Sequence, residues 1–288
     1  MNKTNRWLLY AVYIIFAAGL FIYYLFPSEV AKKYIASNLN RVRPDLNIKI
    51  DHIKPSLPYS LGLHDVRLYH LNNLLFGIGH IKITPDLLSF FRSETTFFFK
   101  SKTFEGVIKG KVGIEEKMSF RQIRIDTNLA GIQIKDIPAL QDLIGRQISG
   151  ILDAKIIYSN MGPDETLSAE LDLFDCKVEI TAPLIALETL SFHSIGADVT
   201  FNKGRFQIKE CIIKGHQMDG NVSGEVIIGD PVGESVVNLS GTIIPQDSFL
   251  ADLKKTLPAN LFPPKKTGAY RFPIRLSGTL DSPQFHLK

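Results

Sequence analysis

Apolar and polar side chains alternate with a period of two along most of the chain after residue 47. Clear examples are the runs 104–114, 195–201, 222–228 and 271–280. Strict alternation places an apolar row and a polar row on opposite faces of a β-strand. Turn-forming sequences such as Asn202-Lys203-Gly204 separate the runs, and strands spaced this closely favour hairpins over β-α-β units. The pattern predicts a mainly β protein with a long, mostly antiparallel sheet.

Glycine recurs inside the predicted strands, directly after Ser, Lys or Glu. It does so at Gly106, Gly110, Gly150, Gly224, Gly241 and Gly278. Glycine weakens a strand unless the sheet bends, bulges or admits a close approach to its backbone. We therefore expect a strongly coiled sheet with the shape of a groove or half-pipe.

Three short segments predict helices, at 85–92, 137–144 and 247–253. In the first of them, Thr84 would be the N-cap and Pro85 the first helical residue. All three are too short to form a layer over a long sheet. We expect them to cap its ends or edges.

The segment Trp7–Phe26 contains twenty residues without a charge. At about 1.5 Å per residue, such a helix would cross the hydrocarbon core of a bilayer, which is about 30 Å thick. A signal peptide would have a shorter apolar region and a cleavage site of small residues after it, whereas this run ends at Phe26-Pro27. We expect an uncleaved anchor, with the aromatic residues near its ends at the membrane interface, namely Trp7, Tyr10, Tyr23, Tyr24 and Phe26.

Ser28 and Glu29 follow Pro27 as a second helix start. Val30, Tyr34, Ile35 and Leu39 would share one face of this helix, which either lies on the membrane surface or packs on the rest of the protein. The sequence thus predicts four regions: a cytoplasmic tail at 1–6, a transmembrane helix at 7–26, a juxtamembrane helix or linker at 27–46 and a translocated β-rich domain at 47–288.

Charge is concentrated beside the predicted anchor. Residues 1–50 contain seven Lys or Arg and two Asp or Glu, whereas the remainder contains 26 basic and 27 acidic residues. The β-rich region therefore has no overall basic field, which disfavours nucleic acid as a partner.

The two cysteines, Cys176 and Cys211, form no C-x-x-C motif. Both fall in strand-like runs, so they either pair in a disulfide or are buried as small apolar residues.

Motifs for catalysis or cofactor binding are missing from the sequence. Gly77-Ile78-Gly79 begins a dinucleotide-binding pattern, but Lys82 occupies the position of its third glycine. The histidines are scattered, at His52, His64, His70, His80, His193, His216 and His286. Only His64, His70 and His80 would be brought together by a hairpin, and exposed polar-face histidines explain them better than a metal site. We predict no catalytic, cofactor or metal site, and no enzyme activity.

Three adjacent aromatic residues, Phe97, Phe98 and Phe99, interrupt the alternation. Either this is a central strand covered on both faces, one of them by the predicted helix 85–92, or it is an apolar lip that contacts lipid or a partner near the membrane. The first interpretation is favoured.

The C-terminal stretch 276–287 resembles the closing motif of the type II secretion protein N family (GspN) and, more distantly, AsmA/TamB-like envelope proteins. The residues that match the motif are Leu276, Gly278, Thr279, Leu280, Pro283 and Phe285. The order of an uncleaved N-terminal span, a helix and repeated glycine-containing strands is similar too.

This resemblance implies a single-pass protein of the bacterial inner membrane with its bulk in the periplasm. It further implies an accessory component of the type II secretion pathway that acts through contacts with other secretion proteins. The AsmA/TamB-like alternative implies a lipid-binding or lipid-transfer protein with an apolar β-groove. The family pattern supplies no catalytic residues.

Overall fold

The computed structural model describes residues 7, 10, 13–14, 17, 19–21, 23–42, 45–56, 59–70, 73–117, 120–138, 140–141, 147–179, 189–256 and 270–287. Within them, a single sheet of fourteen strands dominates the molecule. The strands are β1 Leu46–Ser56, β2 Ser60–His70, β3 Asn73–Pro85, β4 Glu94–Thr103, β5 Gly106–Lys117, β6 Phe120–Gln133, β7 Ile148–Ser159, β8 Thr166–Glu179, β9 Thr189–Asn202, β10 Arg205–Gly215, β11 Met218–Ile227, β12 Val236–Pro245, β13 Phe272–Thr279 and β14 Pro283–Leu287.

Each strand pairs with its neighbours in the sequence, and every pairing is antiparallel. The sheet is therefore a meander. Because β1 and β14 are not paired with each other in the described chain, the sheet has two edges. The prediction of a mainly β protein with an antiparallel sheet is confirmed.

Bulges interrupt the register at several places in the sheet. Shifts occur between Leu129 and Ile132 in β6, and between Ser149 and Ile151 in β7. Gly131 and Gly150 lie at these shifts with φ angles of 68° and 151°, where a side chain would be strained. A bulge bends its strand and increases the local twist. Gly150 was among the in-strand glycines for which the sequence predicted a bend or bulge, whereas Gly131 was not.

Helices are few. Helix α1 spans Ser28–Val42 and helix α2 spans Asp247–Thr256, and 3₁₀ turns occupy Leu87–Phe91, Ile134–Asp136 and Val232–Glu234. The predicted helix at 247–253 is confirmed by α2. The predicted segment 137–144 lies partly outside the described residues.

The predicted helix at 85–92 is shorter than expected. Pro85 is the last residue of β3, and the helical part is the five-residue 3₁₀ turn Leu87–Phe91. Its N-cap is Asp86 rather than Thr84, since an Asp86 carboxylate oxygen accepts a hydrogen bond from the Leu88 amide at 3.1 Å. The strand extends beyond Thr84 because its partner β4 continues alongside, with Pro85 opposite Phe97.

A compact hydrophobic cluster lies where α1 covers the first three strands. Ile53, Leu63 and Val66 are buried there, and Ala31 and Ile35 of α1 pack against them. Of the residues predicted to share one face of α1, Ile35 packs on the cluster, whereas Val30 and Tyr34 are exposed. Of the two interpretations left open for this helix, packing on the β-structure is the one observed.

The predicted membrane anchor, 7–26, lies partly outside the described residues. Searching the described part of the chain finds no helix with both the length and the apolar character needed to cross a membrane.

Candidate functional site, the apolar face of the sheet

The register of the meander aligns apolar residues into a row that crosses every strand. Directly opposed residues on paired strands have side chains on the same face, so the row can be followed from one pairing to the next. From β1 to β14 it contains Pro55, Leu61, Ile83, Phe99, Gly110, Thr127, Ile156, Ala169, Val199, Ile208, Gly224, Leu239, Leu276 and Phe285. Only Thr127 has a polar side chain, and none is charged.

A second uncharged row runs beside the first. From β1 to β13 it contains Ile53, Leu63, Ile81, Ser101, Ile108, Leu129, Ala154, Leu171, Ala197, Cys211, Val222, Gly241 and Ile274. Its one hydroxyl is satisfied internally, because Ser101 Oγ donates to the carbonyl oxygen of His80 at 2.7 Å. This row therefore offers a ligand little polar recognition.

Two further rows flank these. One crosses β3 to β14 through Pro85, Phe97, Val112, Ile125, Tyr158, Leu167, Phe201, Phe206, Val226, Val237, Gly278 and Pro283. The other crosses β6 to β13 through Ile132, Leu152, Leu173, Ile195, Ile213, Gly220, Ile243 and Phe272. We call the four rows together the apolar face.

The apolar face is large. Strands lie about 4.8 Å apart and residues on one face repeat about every 6.7 Å, so fourteen strands and four rows span about 60 Å by 20 Å. Helix α1 covers its β1–β3 part. Between β5 and β13 most members of the rows are only half-buried, as expected for side chains shielded mainly by neighbours on the same face.

The opposite face is polar and charged. Arg205 and Glu225 form an ion pair at 2.8 Å across β10 and β11, and Lys111 and Asp126 approach to 3.9 Å across β5 and β6. Exposed ion pairs of this kind contribute about 0–1 kcal/mol each to the free energy of unfolding. They indicate that this face is solvated, but they add little to the stability of the fold.

A basic row crosses this polar face near β3–β5. Lys82, Lys100 and Lys109 are direct register partners, and all three are exposed. None forms an ion pair with a carboxylate anywhere in the described ranges. Like charges directly opposite one another are destabilising, so this row weakens the sheet unless an anion neutralises it. Sequence analysis missed it, because three lysines on separate strands become neighbours only once the register is known.

The three adjacent phenylalanines are divided between the faces. Phe97 and Phe99 belong to the apolar face, whereas Phe98 lies on the polar face and is 48% exposed. The favoured interpretation, in which β4 is covered on both sides, is therefore wrong, since the 3₁₀ turn leaves Phe98 uncovered.

The cysteines do not form a disulfide, so that alternative is wrong. Cys211 lies opposite Ala197 on β9, and Ala197 lies opposite Leu171 on β8. Cys176 is five residues beyond Leu171 on β8, which is about 16 Å along the strand. A disulfide needs Cα atoms within about 7 Å. Burial raises the pKa of both thiols above the ordinary value, so both are protonated at neutral pH.

Five of the histidines come together in two groups. His52, His64 and His80 are register partners across β1–β3, and the rings of His64 and His80 are 4.5 Å apart. His193 and His216 have ring centroids 3.8 Å apart. His70, which was expected near His64 and His80, instead lies 3.5 Å from Asp45 at the other end of β2. No cluster of three or more His, Cys, Asp or Glu side chains suited to a metal ion is found among the residues that the structure describes.

The C-terminal motif forms the β13–β14 hairpin. Leu276 lies opposite Phe285 and Gly278 opposite Pro283, so both pairs continue rows of the apolar face. Gly278 has a φ of 98°, and a Cβ there would lie 2.6 Å from the carbonyl oxygen of Ser282. Thr279 Oγ1 accepts a hydrogen bond from the Ser282 amide at 3.2 Å. The motif thus encodes a tight turn that adds a last strand to the sheet.

The aromatic residues of the predicted anchor differ in their surroundings. Trp7, Tyr10, Tyr23 and Tyr24 are helical and exposed. Phe26 instead packs against the buried cluster of Ile53, Leu63 and Val66 beneath α1. The C-terminal end of the predicted anchor is therefore held against the sheet.

Comparisons of the chain with protein-family models, with curated proteins and with solved structures find no match.

Proposed function

We propose that this protein binds lipid acyl chains on the apolar face and that this face is the wall of a groove. The observation that supports the proposal is the continuity of uncharged rows across thirteen and fourteen strands. Soluble monomers rarely expose contiguous apolar patches of more than a few hundred Å², so a face of this size needs an occupant.

Acyl chains fit the chemistry of this face. The rows offer apolar contact over a long distance, and their few polar groups include Thr127 and the internally bonded Ser101. Sugars and nucleotides need placed donors and acceptors, whereas acyl chains need only shape and apolar area. One leaflet of a bilayer core is about 15 Å deep, so the face could hold several chains along its length.

The proposal includes the membrane anchor. Trp7–Phe26 is long enough and apolar enough in sequence to span a bilayer, and the large apolar side chains described before Phe26 are exposed. A bilayer is the environment in which such side chains would be covered. We place the anchor in the bacterial inner membrane with the sheet in the periplasm, as the family resemblance implies.

Adjacent residues on opposite faces of β12 test the proposal. Leu239→Asp adds a carboxylate to the apolar face, whereas Asn238→Asp adds one to the polar face, where Asn238 Oδ1 already lies 3.3 Å from Arg275 Nη2. Full-length protein is purified, and co-purifying phospholipid is quantified by native mass spectrometry. Lipid bound to the anchor is common to all forms, so differences between them report the apolar face.

We expect Leu239→Asp to lower the affinity for lipid at least about tenfold, or about 1.4 kcal/mol, because a carboxylate is poorly solvated beside acyl chains. Asn238→Asp should retain the wild-type amount. Equal lipid in all three forms would exclude the apolar face as the binding surface.

A second candidate function is the accessory role in type II secretion that the C-terminal motif suggests. The motif residues form an exposed edge hairpin, and an edge strand can recruit a strand of a partner protein. Deleting the gene in a bacterium with a type II system tests this role. Unchanged secretion of its substrates would exclude it and would leave the lipid proposal intact.

A further inference from the structure

The turn between β3 and β4 exposes an unusual amount of apolar surface. Four residues of Leu87–Phe91 are large and apolar, and they are exposed to 51% (Leu87), 67% (Leu88), 56% (Phe90) and 91% (Phe91). The fifth, Ser89, is buried. We call Leu87, Leu88, Phe90 and Phe91 the apolar turn.

Hydrogen bonds hold the apolar turn in this outward arrangement. Ser89 Oγ donates to the Asp86 carbonyl oxygen at 2.6 Å and accepts from the Thr96 amide at 2.9 Å. The Asp86 amide in turn donates to the Thr96 carbonyl oxygen at 2.9 Å. The one polar residue within the turn, Ser89, faces inward and the four apolar residues face outward, which is the reverse of the usual order in a surface turn. Fixed exposure of this kind marks a binding surface.

The position of the turn indicates what covers it. Helix α1 ends at Val42, four residues before β1 begins at Leu46, and it packs on β1. A helix that runs back over the strand it leads into has its own start, and Phe26 before it, toward the far end of β1, where Pro55 lies opposite Leu61 and Leu61 opposite Ile83. Ile83 lies two residues before Pro85, where β3 ends and the turn begins. The anchor segment and the apolar turn therefore leave the sheet at the same end.

The turn is also continuous with the apolar face. The rings of Phe90 and Phe97 meet edge to face with centroids 6.3 Å apart, and Phe97 belongs to an apolar row. On the other face of the sheet, the basic row of Lys82, Lys100 and Lys109 lies near the turn. Lys82 is two residues from Thr84 on β3 and Lys100 is two residues from Phe98 on β4, a distance of about 7 Å along each strand. Apolar side chains flanked by unpaired lysines are typical of surfaces that bind anionic membranes.

We propose that the apolar turn inserts into the surface of the bilayer that holds the anchor, and so opens one end of the apolar face onto the membrane. This inference rests on the proposed anchor and groove, and it adds a second point of membrane contact. Lipid would then enter the apolar face beside Phe90 and Phe97, without crossing water.

Three Phe→Trp substitutions in the full-length chain test the proposal, in a Trp7→Phe background because Trp7 is the single native tryptophan. Phe91→Trp reports the turn, and Phe201→Trp reports the apolar face. Phe174→Trp is the matched control, since it is exposed on β8 opposite Ile151, near the other end of the strands. Each protein is reconstituted into bilayers of neutral and anionic phospholipid with brominated acyl chains, which quench tryptophan on contact.

We expect strong quenching and a blue-shifted emission for Phe91→Trp, and little of either for Phe174→Trp. The quenching of Phe91→Trp should persist when Leu239→Asp is added, because that change empties the face and not the turn. Quenching no greater than in Phe174→Trp would overturn the proposal, and would leave a protein partner as the occupant of the turn. An unquenched Phe201→Trp beside a quenched Phe91→Trp would instead reject the groove and retain the turn.

Discussion

The first three strands and the strands from β5 to β13 share one alternating pattern but differ in what lies over their apolar face. Over β1–β3, Ala31 and Ile35 of α1 complete a cluster in which Ile53, Leu63 and Val66 are buried. Over β5–β13, equivalent residues such as Leu171 and Leu239 are half-buried. Alternation therefore specifies which side chains share a face, and the neighbouring element decides whether that face becomes a core.

The difference has an energetic meaning. Burial of apolar surface stabilises by about 25 cal/mol per Å², so covered rows contribute more to folding than uncovered rows of the same composition. The covered part holds the proposed anchor segment to the sheet, through Phe26. The rows over β5–β13, which are mostly half-buried among the described residues, retain apolar area that a ligand can still bury. If the proposed function is right, one sheet divides stability and binding between two regions.

Leucine truncation gives the largest expected contrast between the two regions. Leu63→Ala should destabilise the protein by about 3 kcal/mol, because it leaves a cavity under α1. Leu171→Ala should cost about 1 kcal/mol in lipid-free protein, since its side chain is already half-exposed. Urea unfolding followed by circular dichroism measures both. Equal losses would show that the β5–β13 face is covered after all.

A smaller effect is expected from the helix that provides the cover. Ile35→Ala removes a contact with the buried cluster and should destabilise by about 1–2 kcal/mol. Val30→Ala, at an exposed position of the same helix, should change stability by less than about 0.5 kcal/mol. The same unfolding measurement applies. A larger loss for Val30→Ala than for Ile35→Ala would mean that α1 packs on the sheet through Val30 rather than Ile35.

The smallest perturbation uses the two native thiols of the β5–β13 region. Cys211 is half-buried on the apolar face and Cys176 is fully buried, so a water-soluble alkylating reagent should modify Cys211 first. Since burial raises the pKa of the Cys211 thiol, the reaction should be slower at neutral pH than for a free thiol and should accelerate as the pH rises above the ordinary thiol value. Mass spectrometry of the modified peptides gives both rates.

Bound lipid should protect Cys211, because this residue lies in the second apolar row. Faster modification of Cys176, or no protection by lipid, would contradict the assignment of the two residues to their positions. The raised thiol pKa also means that the folded protein retains protons that the unfolded chain releases. Stability should therefore fall as the pH rises from the ordinary thiol pKa upward.

Local sequence signals predicted the local structures well. Alternation predicted the strands, Asp247 and its neighbours predicted α2, and the Gly278-containing motif corresponds to a hairpin. What failed depended on contacts distant in sequence. Pro85 remained in β3 because β4 pairs alongside it, and α1 packs through Ala31 and Ile35 on a cluster formed by residues of β1 and β2.

The sequence predicted that the protein has an apolar sheet face, but it did not predict which residues lie next to one another on that face. Period-two patterning indicated apolar rows, but their continuity over thirteen or fourteen strands depends on each register and each bulge. A shift of one residue at any pairing would have moved a strand's apolar side chains to the other face. The basic row of Lys82, Lys100 and Lys109 and the separation of Cys176 from Cys211 depend on register in the same way.

The meander also has a consequence for how the molecule forms and how its length can change. Because every strand pairs only with strands adjacent in sequence, most pairings have short loops to close, which favours rapid folding. Each hairpin can join the growing sheet as it emerges during synthesis, starting from β1. Gain or loss of an internal hairpin would lengthen or shorten the apolar rows without altering their chemistry. The length of the sheet is thus an evolutionary variable that is separate from the chemistry of its two faces.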